Sequence, residues 1–317
     1  MNKKLLIIDT DIGGDCDDAG ALAIANIFKN EGIIDLLCMT FTTSSIYGPA
    51  SMSAINNYYG NDDIEIGMTR RKNFCDINVN AFQKELAVSF KNKFYDQTSD
   101  TIKPCDSAIR LLRRKLVNAE DHSITFVCIG QLNNASDLLD SISDDISLLS
   151  GIELVKKKVK EFIVMGGLFK TSNDEIGFDA EYNIVTDIAS ARNFIKKVPV
   201  KVVFSDYKVG YKIKIGGTLL KQDDLTNPVT VAYKVFQNSP RESWDPLTVW
   251  FACLGEDEMF RKSKEGKITI DERGVTKFIE TEKANHYYLE LVGDSDEIVK
   301  KLDQTLVGGK LYEKQNN

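Results

Sequence analysis

Lys3-Lys4-Leu5-Leu6-Ile7-Ile8-Asp9-Thr10-Asp11-Ile12-Gly13-Gly14-Asp15-Cys16-Asp17-Asp18-Ala19-Gly20-Ala21-Leu22-Ala23-Ile24-Ala25-Asn26 begins as a strand and ends as a helix. The apolar run Leu5 to Ile8 reads as a buried parallel strand. From Ala19 the apolar spacing turns helical. Between them stand Asp9, Asp11, Asp15, Asp17 and Asp18, five carboxylates within ten residues. Like charges this close destabilise one another unless something positive sits among them. A helix starting near Asp18 offers its dipole and its free N–H groups. A divalent cation offers far more, and an all-oxygen donor set suits hard Ca²⁺ or Mg²⁺. One or two such aspartates would read as helix caps. Five at the carboxyl end of a first strand read as a metal site.

The remaining chain repeats the alternation. Ile33 to Phe41 reads as a second strand ending in Thr42-Thr43-Ser44-Ser45, followed by a helix through Ala50 to Tyr59. Asp63 to Gly67 forms a short third strand. The polar, mixed residues 70–105 read as a flexible insertion over a site. Ser107 to Asn118 is amphipathic, its arginines a solvated face. Three further strands, Ile124–Ile129, Glu161–Met165 and Lys201–Phe204, end in Gly130-Gln131-Leu132-Asn133-Asn134, Gly166-Gly167 and Ser205-Asp206. Such alternation predicts an α/β fold with a doubly wound, mostly parallel sheet. Ligands bind such sheets beyond the carboxyl ends of the strands. The last third differs: Trp244-Asp245-Pro246 precedes an apolar helix, Leu247 to Leu254. Lys267–Ile270, Val275–Thr281 and His286–Leu291 then read as a small antiparallel C-terminal portion, and Ser295 to Leu306 as a closing helix. With no internal repeat or linker, residues 1–317 are expected to form one domain.

Composition narrows the function classes. A formal net charge of −7 with scattered lysines argues against nucleic acid as the partner. No stretch approaches the roughly 18 apolar residues of a membrane span. The apolar start is cut short by Asp9, unlike a signal peptide, so a cytoplasmic location is expected. Six cysteines without CxxC spacing read as buried free thiols.

Taken in order, these pieces resemble the inosine–uridine nucleoside hydrolase family over almost the whole length. DTDIGGDCDDAGAL resembles that family's DTDPGxDDAxAL signature, with two extra residues before the paired aspartates. VMGG at Val164 to Gly167, then Asn173, then AEYN at Ala180 to Asn183, resembles its VMGG…N…AEFN arrangement. Trp244-Asp245-Pro246-Leu247 resembles its HDPL motif with tryptophan in place of histidine.

The resemblance implies calcium-dependent hydrolysis of the N-glycosidic bond of ribonucleosides, a role in purine or pyrimidine salvage, and a homodimer or homotetramer. It implies Asp11 as a calcium ligand and as base for the attacking metal-bound water. It implies Asp18 and Asp245 as further ligands, with the backbone carbonyl of Asn133. Asp17, Asn173, Glu181 and Asn183 would hold ribose hydroxyls, and the insertion makes Asp15 an extra candidate ligand. The chemistry is sound on its own terms: a metal-bound water beside a carboxylate deprotonates readily, and carboxylates stabilise an oxocarbenium-like ribosyl cation.

Two departures stand out. The late histidine, which can protonate the leaving base, is Trp244, and the family's usual Gly-Asn is replaced by Thr42-Thr43-Ser44-Ser45. His122 reads as part of an exposed turn and His286 as structural. Leaving-group activation is then expected from aromatic stacking by Trp244 or Tyr47, and loss of a general acid costs ~10²–10⁴-fold. Two alternatives stay open. One is a calcium- and ribosyl-binding protein without turnover. The other is a haloacid-dehalogenase-type phosphatase using Asp9-Thr10-Asp11, which leaves VMGG and AEYN unexplained.

Overall fold

The computed structural model describes residues 3–72, 74–75, 81–169 and 175–308. Its first strand, Lys4–Thr10, runs through the middle of an 11-stranded sheet, with Leu6, Ile7 and Ile8 wholly buried. Burial of both faces explains the unbroken apolar run, since neither side of this strand meets water. On one side the order continues through Ile34–Phe41, Glu65–Met68 and Asp106–Ser107, all parallel. On the other side follow Ile124–Cys128, Val159–Met165, Lys201–Ser205 and His286–Leu291, again parallel. Beyond them Gly266–Ile270 and Thr276–Glu280 pair antiparallel, and Phe260–Lys262 lies antiparallel to His286–Leu291.

The chain therefore builds outward from Lys4–Thr10 in one direction, then returns and builds in the other. The reversal lies between Lys4–Thr10 and Ile124–Cys128, and the crevice beyond their carboxyl ends is where such a sheet takes a ligand. Helices cover both faces. On one, Phe28 of the helix Asp17–Asn30 meets Trp250 of the helix Trp244–Leu254, ring centroids 5.1 Å apart. On the other, Phe126 stacks on Phe162 at 5.0 Å, and Phe194 closes edge-on. Packing of the first and last of the site-bearing helices against each other brings residues 17–18 and 245 together.

The C-terminal strands pair antiparallel as expected, His286–Leu291 lying against Gly266–Ile270 and Phe260–Lys262. The pairing of His286–Leu291 with Lys201–Ser205 is parallel, so this portion also extends the main sheet. Residues 70–105 contain a helix, Ala81–Ser89, whose Phe82 and Leu86 are buried, and a hairpin of Tyr95–Asp96 with Thr101–Ile102. Asp106–Ser107 adds an edge strand too short to carry any pattern. Cys16, Cys38, Cys105, Cys128 and Cys253 are buried free thiols as expected, whereas Cys75 is only half-buried. Among the described residues no helix is long and apolar enough to cross a membrane.

Candidate active site

A cavity of about 460 Å³ opens at the crevice, lined among others by Asp11, Asp15, Asp17, Asp18, Glu181, Asn183, Trp244 and Asp245. Its floor is carboxylate. Asp17 and Asp18 open the helix Asp17–Asn30, and Asp245 lies in the first turn of Trp244–Leu254. Oxygens of these three lie within 4.8 Å of one another, all in buried side chains. The backbone N–H of Asp245 donates to Asp17 (3.1 Å), and the Thr10 hydroxyl donates to Asp18. Burial pushes all three carboxyls well above the usual range, and repulsion from neighbouring carboxylates, Asp11 and Asp15 among them, pushes further. A hard, buried, all-oxygen donor set with so few compensating donors fits a divalent cation such as Ca²⁺.

Asp11 stands beside this group, with its own fixed partner. Gln131 Nε2 donates to its Oδ2 at 2.8 Å, and the Thr42 hydroxyl donates to Gln131 Oε1 at 2.8 Å, which sets the orientation of the amide. Burial raises the Asp11 carboxyl to about 6, against the Gln131 hydrogen bond, which lowers it. Backbone must come very close here: a Cβ on Gly130 would lie 2.7 Å from the Asp11 nitrogen. Gly13, at φ +122°, likewise leaves room for the Gln83 side chain, which reaches back to the Ile12 carbonyl.

Glu181 is buried and held by the backbone N–H groups of Asn183 (2.8 Å), Gly167 (3.0 Å) and Ile184 (3.3 Å), capping the short helix Tyr182–Val185. Burial raises it to about 7, against those three donors. Asn183 donates weakly to the Met165 carbonyl at 3.4 Å. The VMGG turn and the AEYN segment thus form one side of the cavity.

The other candidate residues are spread over several elements. Asp17 joins Asp18 and Asp245, whereas Asp11 and Asp15 lie outside that close group. Asp15 turns to Arg241, accepting from its Nε (2.8 Å) and Nη2. Asn133 is fully buried, and its side chain donates to the Thr42 carbonyl (2.8 Å). Asn173 falls outside the described residues. Asp9 is a tie between strands: its Oδ1 accepts from Thr40 (2.5 Å) and Asn134 (2.8 Å). Trp244 lines the cavity, but its indole N–H donates to the Tyr207 carbonyl (2.9 Å). Tyr47 does not line it. His122 is an exposed turn residue at φ +54°, and His286 accepts from the Ile268 N–H; neither lines the cavity.

Sequence reasoning missed Gln131, Phe178, Tyr207 and Arg241. Phe178, Tyr207 and Trp244 form an aromatic wall, Tyr207 lying 4.9 Å from Phe178 and 5.3 Å from Trp244. All four stand near stretches that the sequence singles out: Phe178 two residues before Ala180, Tyr207 after Asp206, Gln131 between Gly130 and Asn133, and Arg241 three residues before Trp244.

The raised carboxyls give a pH prediction with a definite sign. In the unfolded chain these groups titrate near 3.8 to 4.5, whereas Asp9 and Glu181 are raised to about 7 and Asp11 to about 6. The folded state therefore holds protons that the unfolded state releases, and their contribution is lost as pH rises through this window. In chelator, the melting temperature is expected to fall between about pH 5 and 7. With excess calcium the fall should shrink but not vanish, because a cation beside Asp11 favours its ionised form while Asp9 and Glu181 lie away from the Asp17, Asp18 and Asp245 group. A melting temperature in chelator that rises over this window would contradict the reading.

With this geometry established, comparison with known proteins places the chain. The family model described as inosine-uridine preferring nucleoside hydrolase matches residues 6–303. A plant nucleoside hydrolase is similar in structure at 19% identity and TM-score 0.67, covering 97% of this chain and 100% of that one. A purine-preferring ribonucleoside hydrolase from Gardnerella vaginalis matches at 16% identity and TM-score 0.70, covering 97% and 99%. The type III effector protein XopQ, solved with adenosine diphosphate ribose, matches at 15% identity and TM-score 0.65, covering 97% and 93%. At these identities the structural likeness speaks for the fold. A search of curated protein sequences gives no match.

Proposed function

We propose that this chain, which belongs to the inosine-uridine preferring nucleoside hydrolase family, hydrolyses the N-glycosidic bond of ribonucleosides in a calcium-dependent reaction. The observation that carries the proposal is the convergence of Asp17, Asp18 and Asp245 beside Asp11 at the reversal point of the sheet. Ca²⁺ held by Asp18 and Asp245, with Asp11 or Asp17, would supply positive charge that eases deprotonation of a neighbouring water. Asp11, oriented by Gln131, takes the proton of the attacking water. Asp17, Glu181 and Asn183 hold the ribose hydroxyls, and the surrounding carboxylates stabilise the positive charge that grows on the sugar as the base departs. Trp244 and its aromatic neighbours stack on the base. The proposal extends to a cytoplasmic salvage enzyme acting as a homodimer or homotetramer.

A site whose buried polar groups are matched to ribose hydroxyls rejects a sugar that lacks one. Leaving such a group unpaired costs roughly 1–3 kcal/mol. The kcat/KM for 2′-deoxyinosine is accordingly expected to be about 5- to 150-fold below that for inosine. Equal rates on the two would remove Asp17, Glu181 and Asn183 from the sugar. One observation favours a second reading, a ribosyl-binding protein without turnover: the motif histidine is replaced by Trp244, whose N–H is already used by Tyr207. That reading expects tight nucleoside binding with no release of ribose.

A further inference from the structure

Resting on the hydrolase reading, we infer that Arg241 is the catalytic group that meets the leaving base, and that Asp15 is its positioning residue. Arg241 is the single cation among the described residues lining a cavity that also presents six carboxylates: Asp11, Asp15, Asp17, Asp18, Glu181 and Asp245. Depth sorts these groups. Asp17, Asp18, Asp245 and Glu181 are at most 4% exposed, whereas the Arg241 side chain is 24% exposed and Phe178 is 40% exposed. Sugar-binding carboxylates therefore lie at the floor, and the cation with the aromatic wall lies nearer the mouth, where the base of a floor-bound riboside extends.

The guanidinium is fixed from several sides. Its Nε and Nη2 donate to Asp15, and its Nη1 donates to Glu242 (2.9 Å). Its Cζ lies over the rings of Trp244, 5.1 Å from the centroid, and Phe236 at 5.5 Å. These bonds use three of the five guanidinium N–H groups. One on Nη1 and one on Nη2 remain for a ligand. Asp15 is one of the carboxylates that crowd the opening loop, and Arg241 lies 226 positions further on. The pair joins the loop that departs from the family's signature to the segment that carries Trp244 in place of histidine.

Chemically, the role suits arginine. When the C1′–N bond breaks, its electron pair stays on the base nitrogen and negative charge grows on the ring. Two fixed, charge-assisted N–H donors stabilise that charge as it forms. Arginine does not release its own proton. The base therefore leaves as an anion held by Arg241 and takes its proton from solvent. The attacking water gives hydroxide to C1′ and a proton to Asp11, which returns that proton to solvent, so riboside and water become ribose and protonated base.

The test compares a leaving group that needs help with one that does not. In Arg241→Gln, kcat for inosine is expected to fall about 10²-fold, the scale of one lost transition-state donor. On p-nitrophenyl riboside, whose C1′–O bond breaks to a stable phenolate, the loss should stay within about 3-fold. Arg241→Lys should recover part of the inosine rate, and Asp15→Asn should show a smaller loss with the same substrate bias. Equal losses on both substrates, or none, would overturn the role. Melting and calcium titration check that the variants are folded; if Arg241→Gln is not, Arg241→Lys carries the comparison. If the wild type turns over neither substrate, the hydrolase reading fails and calorimetry decides this one. Arg241→Gln should then weaken nucleoside binding at least about 10-fold while leaving ribose binding unchanged. Unchanged nucleoside affinity would refute it.

Discussion

Replacing Asp11 by Asn is expected to lower kcat for ribose release by about 10³-fold, within the ~10²–10⁴-fold range of general base catalysis. The amide keeps the shape of the side chain, and its oxygen still accepts from Gln131, so the 2.8 Å contact and the fold survive. What disappears is the basic oxygen. Because Asp11 adjoins the carboxylate cluster, weaker calcium binding could mimic that loss, so the comparison is made at saturating calcium. A deficit that persists there belongs to proton transfer. A loss below about 10-fold at saturation would place the base elsewhere.

Asp245→Asn has an effect that changes sign with the cation. Asp245 is buried against Asp17 and Asp18, whose charges oppose its ionisation. Without a cation, removing one of three crowded carboxylates relieves repulsion and desolvation. The variant should then melt above the wild type in chelator. With a cation, the same substitution removes a charged ligand, and breaking a buried ion pair costs about 3–5 kcal/mol. Calcium affinity should fall by at least about 10²-fold, and the variant should melt below the wild type in calcium. An equal destabilisation in both conditions would show that the cluster holds no cation.

Much of this was legible in the chain, for identifiable reasons. Leu5 to Ile8 has no polar alternation because its strand is buried on both faces, and that marks a parallel sheet directly. The aspartates after it could be placed at a strand's carboxyl end from spacing alone. Which aspartate does what could not, because the partners are remote. Asp9 is occupied by Thr40 and Asn134, and Asp15 by Arg241. Asp17 and Asp245 meet only because two helices far apart in sequence pack together. Alternation in His286–Leu291 shows a strand but not the direction of its neighbour, and the parallel pairing to Lys201–Ser205 follows from the sheet. The helix Ala81–Ser89 was hidden in a polar stretch, since Phe82 and Leu86 are buried in a segment otherwise mixed in character. Gln131 gave no signal of its own: a lone glutamine in a turn reveals its purpose only when Asp11 and Thr42 flank it.

The most direct measurement is ribose release from a panel of purine and pyrimidine ribonucleosides, with calcium and with a chelator, quantifying free base in parallel. Equimolar ribose and base are expected from at least one ribonucleoside, lost in chelator and restored by added calcium. Tight nucleoside binding with no ribose released under either condition would contradict the hydrolase reading.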